Sequence, residues 1–148
     1  AFLHAGTEFL RTKKGVENSF ESPDSINQID WSLKTRNVDV YQYTKLLIRM
    51  RREHPAFRMK DAASISSGIR FLEGLPEGVI AYTIDGTKVG DRWKKILVCF
   101  NGTNTSKRVS AGNLNWISFI RNNRLPEGPA EKREMDLAPF SCSIFYIQ

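Results

Sequence analysis

The sequence predicts a mainly β protein whose β-rich part follows a strand, a long polar loop and one helix. Three observations carry this reading. One helix-period stripe runs through residues 38–54, short apolar runs separated by turn formers fill residues 60–148, and residues 10–37 show little periodicity of either kind. The expected organisation is therefore two parts, residues 1–59 and residues 60–148. The second is read as a small antiparallel sandwich, because several short strands at regular spacing favour two packed sheets.

The opening residues Ala1-Phe2-Leu3-His4-Ala5 read as an apolar strand that turns at Gly6. The stretch 10–37 is rich in Lys, Asn, Ser and Asp and is broken at Gly15 and Pro23. Its aromatics Phe9, Phe20 and Trp31 argue against a solvated linker, which is poor in such residues. A long loop inside a compact domain is commonly functional. Trp31 and Phe20 are read as packing anchors of this loop.

The helix is expected over 38–54. Val40, Tyr43, Leu47 and Met50 recur at helical spacing and Leu46 widens the stripe, while Gln42, Lys45, Arg49 and Arg52 take the other side. Asn37 can cap it and Asp39 suits its first turn. His54-Pro55 ends it, because the residue before proline is pushed out of the helical region. Strands are expected near 69–73, 79–84, 95–101, 107–110, 115–120 and 143–147. They are separated by Pro76-Glu77-Gly78, Asp85-Gly86, Asn101-Gly102 and the stretch 126–129. Lys132 and Arg133 are placed on a loop.

Composition excludes several classes. The 148 residues are 41% apolar, enough for a core without disulfides or metal. The longest apolar runs are far too short to cross a bilayer, so no membrane partner is expected. The net charge is +6, yet the basic residues are scattered among acidic ones and read as solvated surface, so no nucleic-acid partner is expected. Cys99 and Cys142 sit in strand-like runs and read as buried thiols, with a disulfide left open; with only His4 and His54 to join them, no zinc site and no cofactor are expected. Neither histidine has a Ser or Cys partner in a known arrangement, so both read as structural. Asn101-Gly102-Thr103 and Asn104-Thr105-Ser106 match the glycosylation acceptor pattern and read first as turns.

A strand, a loop, a helix and then a β-sandwich is also how a (β/α)8-barrel glycosidase of the α-amylase superfamily ends. Phe2-Leu3-His4-Ala5-Gly6-Thr7-Glu8-Phe9 resembles the end of the eighth barrel strand. Arg11-Thr12-Lys13-Lys14-Gly15, Asn18-Ser19-Phe20 and Ser22-Pro23-Asp24-Ser25-Ile26-Asn27-Gln28-Ile29-Asp30-Trp31 resemble the following loop of type I pullulanases. Arg51-Arg52-Glu53-His54-Pro55-Ala56-Phe57 resembles the exit of the eighth helix. The resemblance is strong over residues 2–59 and rests on position and strand pattern beyond them.

It implies a C-terminal antiparallel β-sandwich preceded by the last strand, long loop and last helix of a truncated (β/α)8 barrel. The parent would be a starch-debranching glycoside hydrolase acting on α-1,6 branch linkages of pullulan, starch or glycogen dextrins, in a cytoplasmic or secreted bacterial setting. Barrel active sites are built from loops at the C-terminal ends of the strands, so the loop after the eighth strand borders the cleft. The resemblance places a glucan-contacting Asp at Asp24. The family's Arg four residues later is replaced by Gln28, an amide that hydrogen-bonds without charge. Asn27 and Asn18 complete the expected substrate-binding set, and the resemblance makes Glu8 a structural acid at the base of the loop.

The family's nucleophile, acid/base and stabilising Asp follow strands four, five and seven. No catalytic residue is therefore expected in this chain, and the fragment alone is expected to be inactive. Made alone, it is expected to self-associate, to rearrange onto the sandwich, or to be disordered over 1–36. The alternative is a carbohydrate-binding β-sandwich module with an exposed Trp93 or Trp116 as its platform.

Overall fold

A computed structural model describes residues 2–126, 128 and 131–148. Ala1, at the start of the expected strand, and two residues of the expected turn 126–129 lie outside the described residues. The chain forms two compact units, Ala1–Met50 and Arg51–Gln148.

In the first unit, residues 2–4 are irregular rather than strand and lead through a turn at 5–6 into a 3-10 turn, Thr7–Phe9. A strand needs a paired neighbour for its backbone groups, and the described residues of this unit contain no other strand to supply one. The loop is ordered by short helices that the sequence pattern did not reveal, α1 (Asp24–Asn27) and α2 (Ser32–Arg36). Asp30 nucleates α2. Its Oδ1 accepts from the Ser32 N–H at 3.0 Å and the Ser32 hydroxyl at 2.5 Å, and its Oδ2 accepts from Arg36 at 2.7 Å. These bonds, led by the Ser32 hydroxyl, hold its carboxyl below the usual range.

The long helix α3 spans Val38–Glu53. Asn37 supplies the carbonyl that accepts from Tyr41 N–H at 3.1 Å, but its side chain does not cap the helix. The amide reaches away to donate to the Phe9 carbonyl at 3.0 Å. His54 is extended (φ −115°, ψ 102°), as a residue before proline should be, and a 3-10 turn Pro55–Arg58 follows.

The second unit adds a short helix α4 (Ala62–Gly68), capped by Asp61 through the Ser64 N–H at 2.7 Å. The strands are β1 (Ile69–Phe71), β2 (Val79–Asp85), β3 (Lys95–Asn101), β4 (Lys107–Ser110), β5 (Trp116–Ile120), β6 (Glu131–Lys132), β7 (Glu134–Leu137) and β8 (Ser141–Ile147). The protein is mainly β with antiparallel sheets. One sheet has the order β1-β2-β3-β8-β5-β6 and a second pairs β4 with β7. The two strands around Arg133 were not expected. Both are short, β6 two charged residues and β7 four that alternate acids with core Met135 and Leu137, and each is defined by a neighbour distant in sequence.

Val79, Ala81, Leu97, Cys99, Trp116 and Phe145 from the large sheet meet Val109, Met135 and Leu137 from the small one in the inter-sheet core. Strand β3 is buried on both sides, with Ile96 and Val98 on the face away from that core. Part of this outer face lies under Trp93, which stacks on Tyr146 at 4.3 Å and takes the His54 ring on it at 3.5 Å. The remainder stays open, with Phe71, Ile80 and Phe100 exposed beside a half-buried Tyr82. Gly86 permits the β2–β3 connection to fold tightly, since a Cβ there would lie 1.9 Å from the Trp93 carbonyl oxygen.

Candidate functional site

The four expected glucan contacts all lie in the first unit, on the loop around α1. Pro23 presets the entry to α1 with φ −66°, and Asp24 is its first residue. The Gln28 N–H donates to the Asp24 carbonyl at 2.7 Å. That bond puts Asp24 and Gln28 one helical turn apart, as neighbours on one side of the turn. Both are exposed, and neither side chain is engaged by another described residue. Asn18 is exposed too. Its Oδ1 accepts from the Phe20 N–H at 3.2 Å, which leaves its amide hydrogens outward.

Asn27 differs from the other three. Its Nδ2 donates to the carbonyls of Ser19 at 2.9 Å and Ser22 at 2.7 Å, and its Oδ1 accepts from the Lys13 ammonium at 2.5 Å. Its own carbonyl accepts from the Arg11 guanidinium. Arg11 in turn is rooted at the loop base, where its N–H donates to the Gly6 carbonyl at 2.8 Å. Glu8 accepts from the Gly6 N–H at 3.0 Å, which is the structural part read for it from sequence. Lys13 and Arg11 were not singled out from sequence. They stood within the run Arg11-Thr12-Lys13-Lys14-Gly15 that carries the resemblance, which gave neither side chain a role or a direction.

Phe20, read as a packing anchor, is 87% exposed, which is not the burial an anchor has. Trp31 sets one edge against buried Phe9, with ring centroids 5.8 Å apart, yet remains 66% exposed.

The second unit holds a histidine–carboxylate pair, His54 Nδ1 to Asp91 Oδ1 at 2.7 Å, in a fully buried setting. Asp91 also accepts from the N–H groups of Ala56 at 3.0 Å and Trp93 at 2.9 Å. The other ring nitrogen faces the Arg92 guanidinium at 3.3 Å rather than a hydroxyl or thiol. The pair therefore lacks a nucleophile and is structural.

Burial pushes the Cys99 thiol up to about 12, and that of Cys142 up to about 11. The two occupy adjacent strands, but Cys99 is opposite Ser143 and Cys142 opposite Phe100, so they point to opposite faces and are not bridged. Asn101, the last residue of β3, is buried and donates to the carbonyls of Thr105 at 2.8 Å and Ala138 at 2.9 Å, so its side chain braces the turn that follows. Trp93 and Trp116, the expected platforms of a sugar-binding module, are 4% and 0% exposed and offer no face to a ligand. Trp116 opens β5 and Trp93 lies in the connection before β3, and at either place a tryptophan reads alike in sequence whether it points inward or outward.

Comparison with known proteins places this geometry in context. The family described as pullulanase, all-beta domain, matches residues 65–124. The pullulanase of Bacillus subtilis (strain 168) is 45% identical over 97 residues, covering 66% of this chain and 13% of its own length. The isoamylase of a Flavobacterium species is 30% identical over 119 residues, covering 68% of this chain and 15% of its own. The chain thus spans only a small part of these curated relatives. Among solved structures, the type I pullulanase of Bacillus subtilis complexed with maltose superposes with a TM-score of 0.90 at 35% identity, covering 99% of this chain and 21% of that one. The pullulanase of Anoxybacillus sp. LM18-11 complexed with maltotetraose gives 0.88 at 30% identity, covering 99% and 21%.

Proposed function

We propose, from the premise that this chain belongs to the type I pullulanases and carries their all-beta domain, that it is one part of an enzyme hydrolysing α-1,6-glucosidic branch linkages in pullulan or in dextrins of starch and glycogen. Its contribution is one wall of the glucan cleft together with a stabilising β-domain. The observation that carries this reading is the match of nearly the whole chain to a pullulanase solved with maltose, which supports an α-glucan as the substrate class.

Retaining glycoside hydrolysis uses two carboxyl groups about 5 Å apart, one a nucleophile and the other an acid/base. Two acids of the first unit are already engaged within it. Glu8 is tied to Gly6 and Asp30 to Ser32 and Arg36. On this reading residues 1–59 close a (β/α)8 barrel, and the nucleophile, acid/base and third acid follow its fourth, fifth and seventh strands, outside those residues. Asp24, Gln28 and Asn18 present their free polar atoms to sugar hydroxyls, Asp24 as an acceptor and the two amides chiefly as donors. Asn27 belongs to the same site but supports it from behind.

The test is a graft of residues 1–148 in place of the matching stretch of the Bacillus subtilis pullulanase. Pullulan hydrolysis should be retained, and Asp24→Ala should raise KM severalfold, as loss of a hydrogen bond to a charged group does. The 148-residue chain alone should release no maltotriose from pullulan. Release by the isolated chain, or loss of hydrolysis in a folded graft, would overturn the reading.

A further inference from the structure

We infer that Lys13 and Arg11 are positioning residues of the glucan site, acting through Asn27 to hold α1 so that Asp24 and Gln28 face the sugar. The inference rests on the cleft reading given above and adds to it two residues that contact no sugar. Three observations carry it.

First, Asn27 has no donor left for a ligand. Both hydrogens of its Nδ2 go to Ser19 and Ser22 carbonyls, and its backbone N–H donates to the Pro23 carbonyl at 3.1 Å. Second, the two acceptors of Asn27 are each taken by a cation from the first part of the loop, the side-chain oxygen by Lys13 and the backbone oxygen by Arg11. Hydrogen bonds with a charged donor are roughly twice as strong as neutral ones. Third, α1 has only four residues, Asp24–Asn27. A single turn does not hold itself together in water, because nucleating a helix costs more than one turn returns.

The turn that sets Asp24 and Gln28 side by side therefore depends on external fastening. Asn27 is its last residue, and the Lys13–Asn27–Arg11 cluster fastens it to the loop base at Gly6. That base is itself constrained. Gly6 has φ +93°, and a Cβ there would lie 2.6 Å from the Cβ of Arg11. Fixing the polar groups before the glucan arrives spares the complex the entropy of ordering them on binding.

The experiment uses the full 148-residue chain grafted into the Bacillus subtilis pullulanase. Lys13→Met should raise KM for pullulan about three- to tenfold with kcat nearly held, the effect of losing one charge-assisted bond that acts on ground-state positioning. Lys13→Arg should restore most of the loss. Amide hydrogen exchange at Ile26, Asn27 and Gln28 should quicken in Lys13→Met and return in Lys13→Arg. Asp24→Ala, run beside them, separates the two claims. If Asp24→Ala raises KM while Lys13→Met leaves both KM and exchange unchanged, the positioning role is wrong and the cleft reading stands. If Asp24→Ala also changes nothing, both fall. A Lys13→Met graft that loses kcat and melting temperature together, without a selective rise in KM, would make Lys13 a general structural residue and overturn the inference as well.

Discussion

His54 donates its Nδ1 proton to Asp91 across 2.7 Å in a site where neither side chain touches solvent. The carboxylate accepts from three donors, one on the ring and two on the backbone at Ala56 and Trp93, and so ties the exit of α3 to the connection between β2 and β3. Asp91→Ala should therefore destabilise the second unit by about 3–5 kcal/mol, the usual cost of breaking a buried, fully bonded pair. His54→Ala should cost a similar amount through lost stacking on Trp93. Urea denaturation followed by circular dichroism checks both.

The two thiols give the β-unit a defined alkaline limit. Burial raises Cys99 from 9.0 to about 12 and Cys142 from 9.0 to about 11. Below pH 9 the thiols are neutral in folded and unfolded chains alike, and their burial contributes fully to stability. Above pH 9 the unfolded chain releases protons that the folded chain keeps. Stability should therefore fall as pH rises, through about 11 for Cys142 and about 12 for Cys99. Melting temperatures measured from pH 8 upward should show this decline, and Cys99→Ala should flatten it. Native-state alkylation of Cys99 at pH 8 should be far slower than in urea.

Gly86 should tolerate no side chain. A Cβ would meet the Trp93 carbonyl at 1.9 Å, a backbone atom that cannot swing aside. Gly86→Ala is expected to cost about 1–3 kcal/mol or more by overpacking. Gly102→Ala is the matched control, since its Cβ would meet only the Gly78 carbonyl at 3.5 Å. Chemical denaturation of the two variants side by side measures the difference.

The open strip Phe71, Ile80 and Phe100 on the large sheet is the surface expected to drive association of the isolated chain. Sedimentation velocity should find a concentration-dependent larger species, and Ile80→Ser with Phe100→Ser should shift it toward monomer by about tenfold or more in dissociation constant. An unchanged profile would place the association elsewhere.

The strands most visible in sequence were those with strong apolar runs. The runs in β3 and β2 carry their own pattern, and the bounds expected for β3, 95–101, are those observed. Strands β6 and β7 were missed because segments of two and four residues become strands only by pairing: in β7 and β4, Glu134 stands opposite Ser110, twenty-four residues earlier. The first residues failed in the opposite sense. Phe2 and Leu3 have the composition of a strand, and the described residues of their unit contain no strand to pair with.

For the candidate site, a resemblance in the loop singled out Asp24 and Gln28, and the structure adds that both are exposed one helical turn apart. The engagement of Asn27 was not legible, because it depends on the direction of a lysine side chain fourteen residues earlier. A list of polar residues does not distinguish an amide that faces a ligand from one that faces its own loop.

The three tryptophans occupy three different surroundings. Trp31 is largely in water, Trp116 is enclosed in the inter-sheet core, and Trp93 lies between an imidazole and a phenol. Their emission should divide accordingly into a long-wavelength component from the first unit, a short-wavelength component from the second, and a quenched contribution from the stacked indole. Without any added label, one fluorescence melt should therefore follow the two units separately and reveal whether they come apart together.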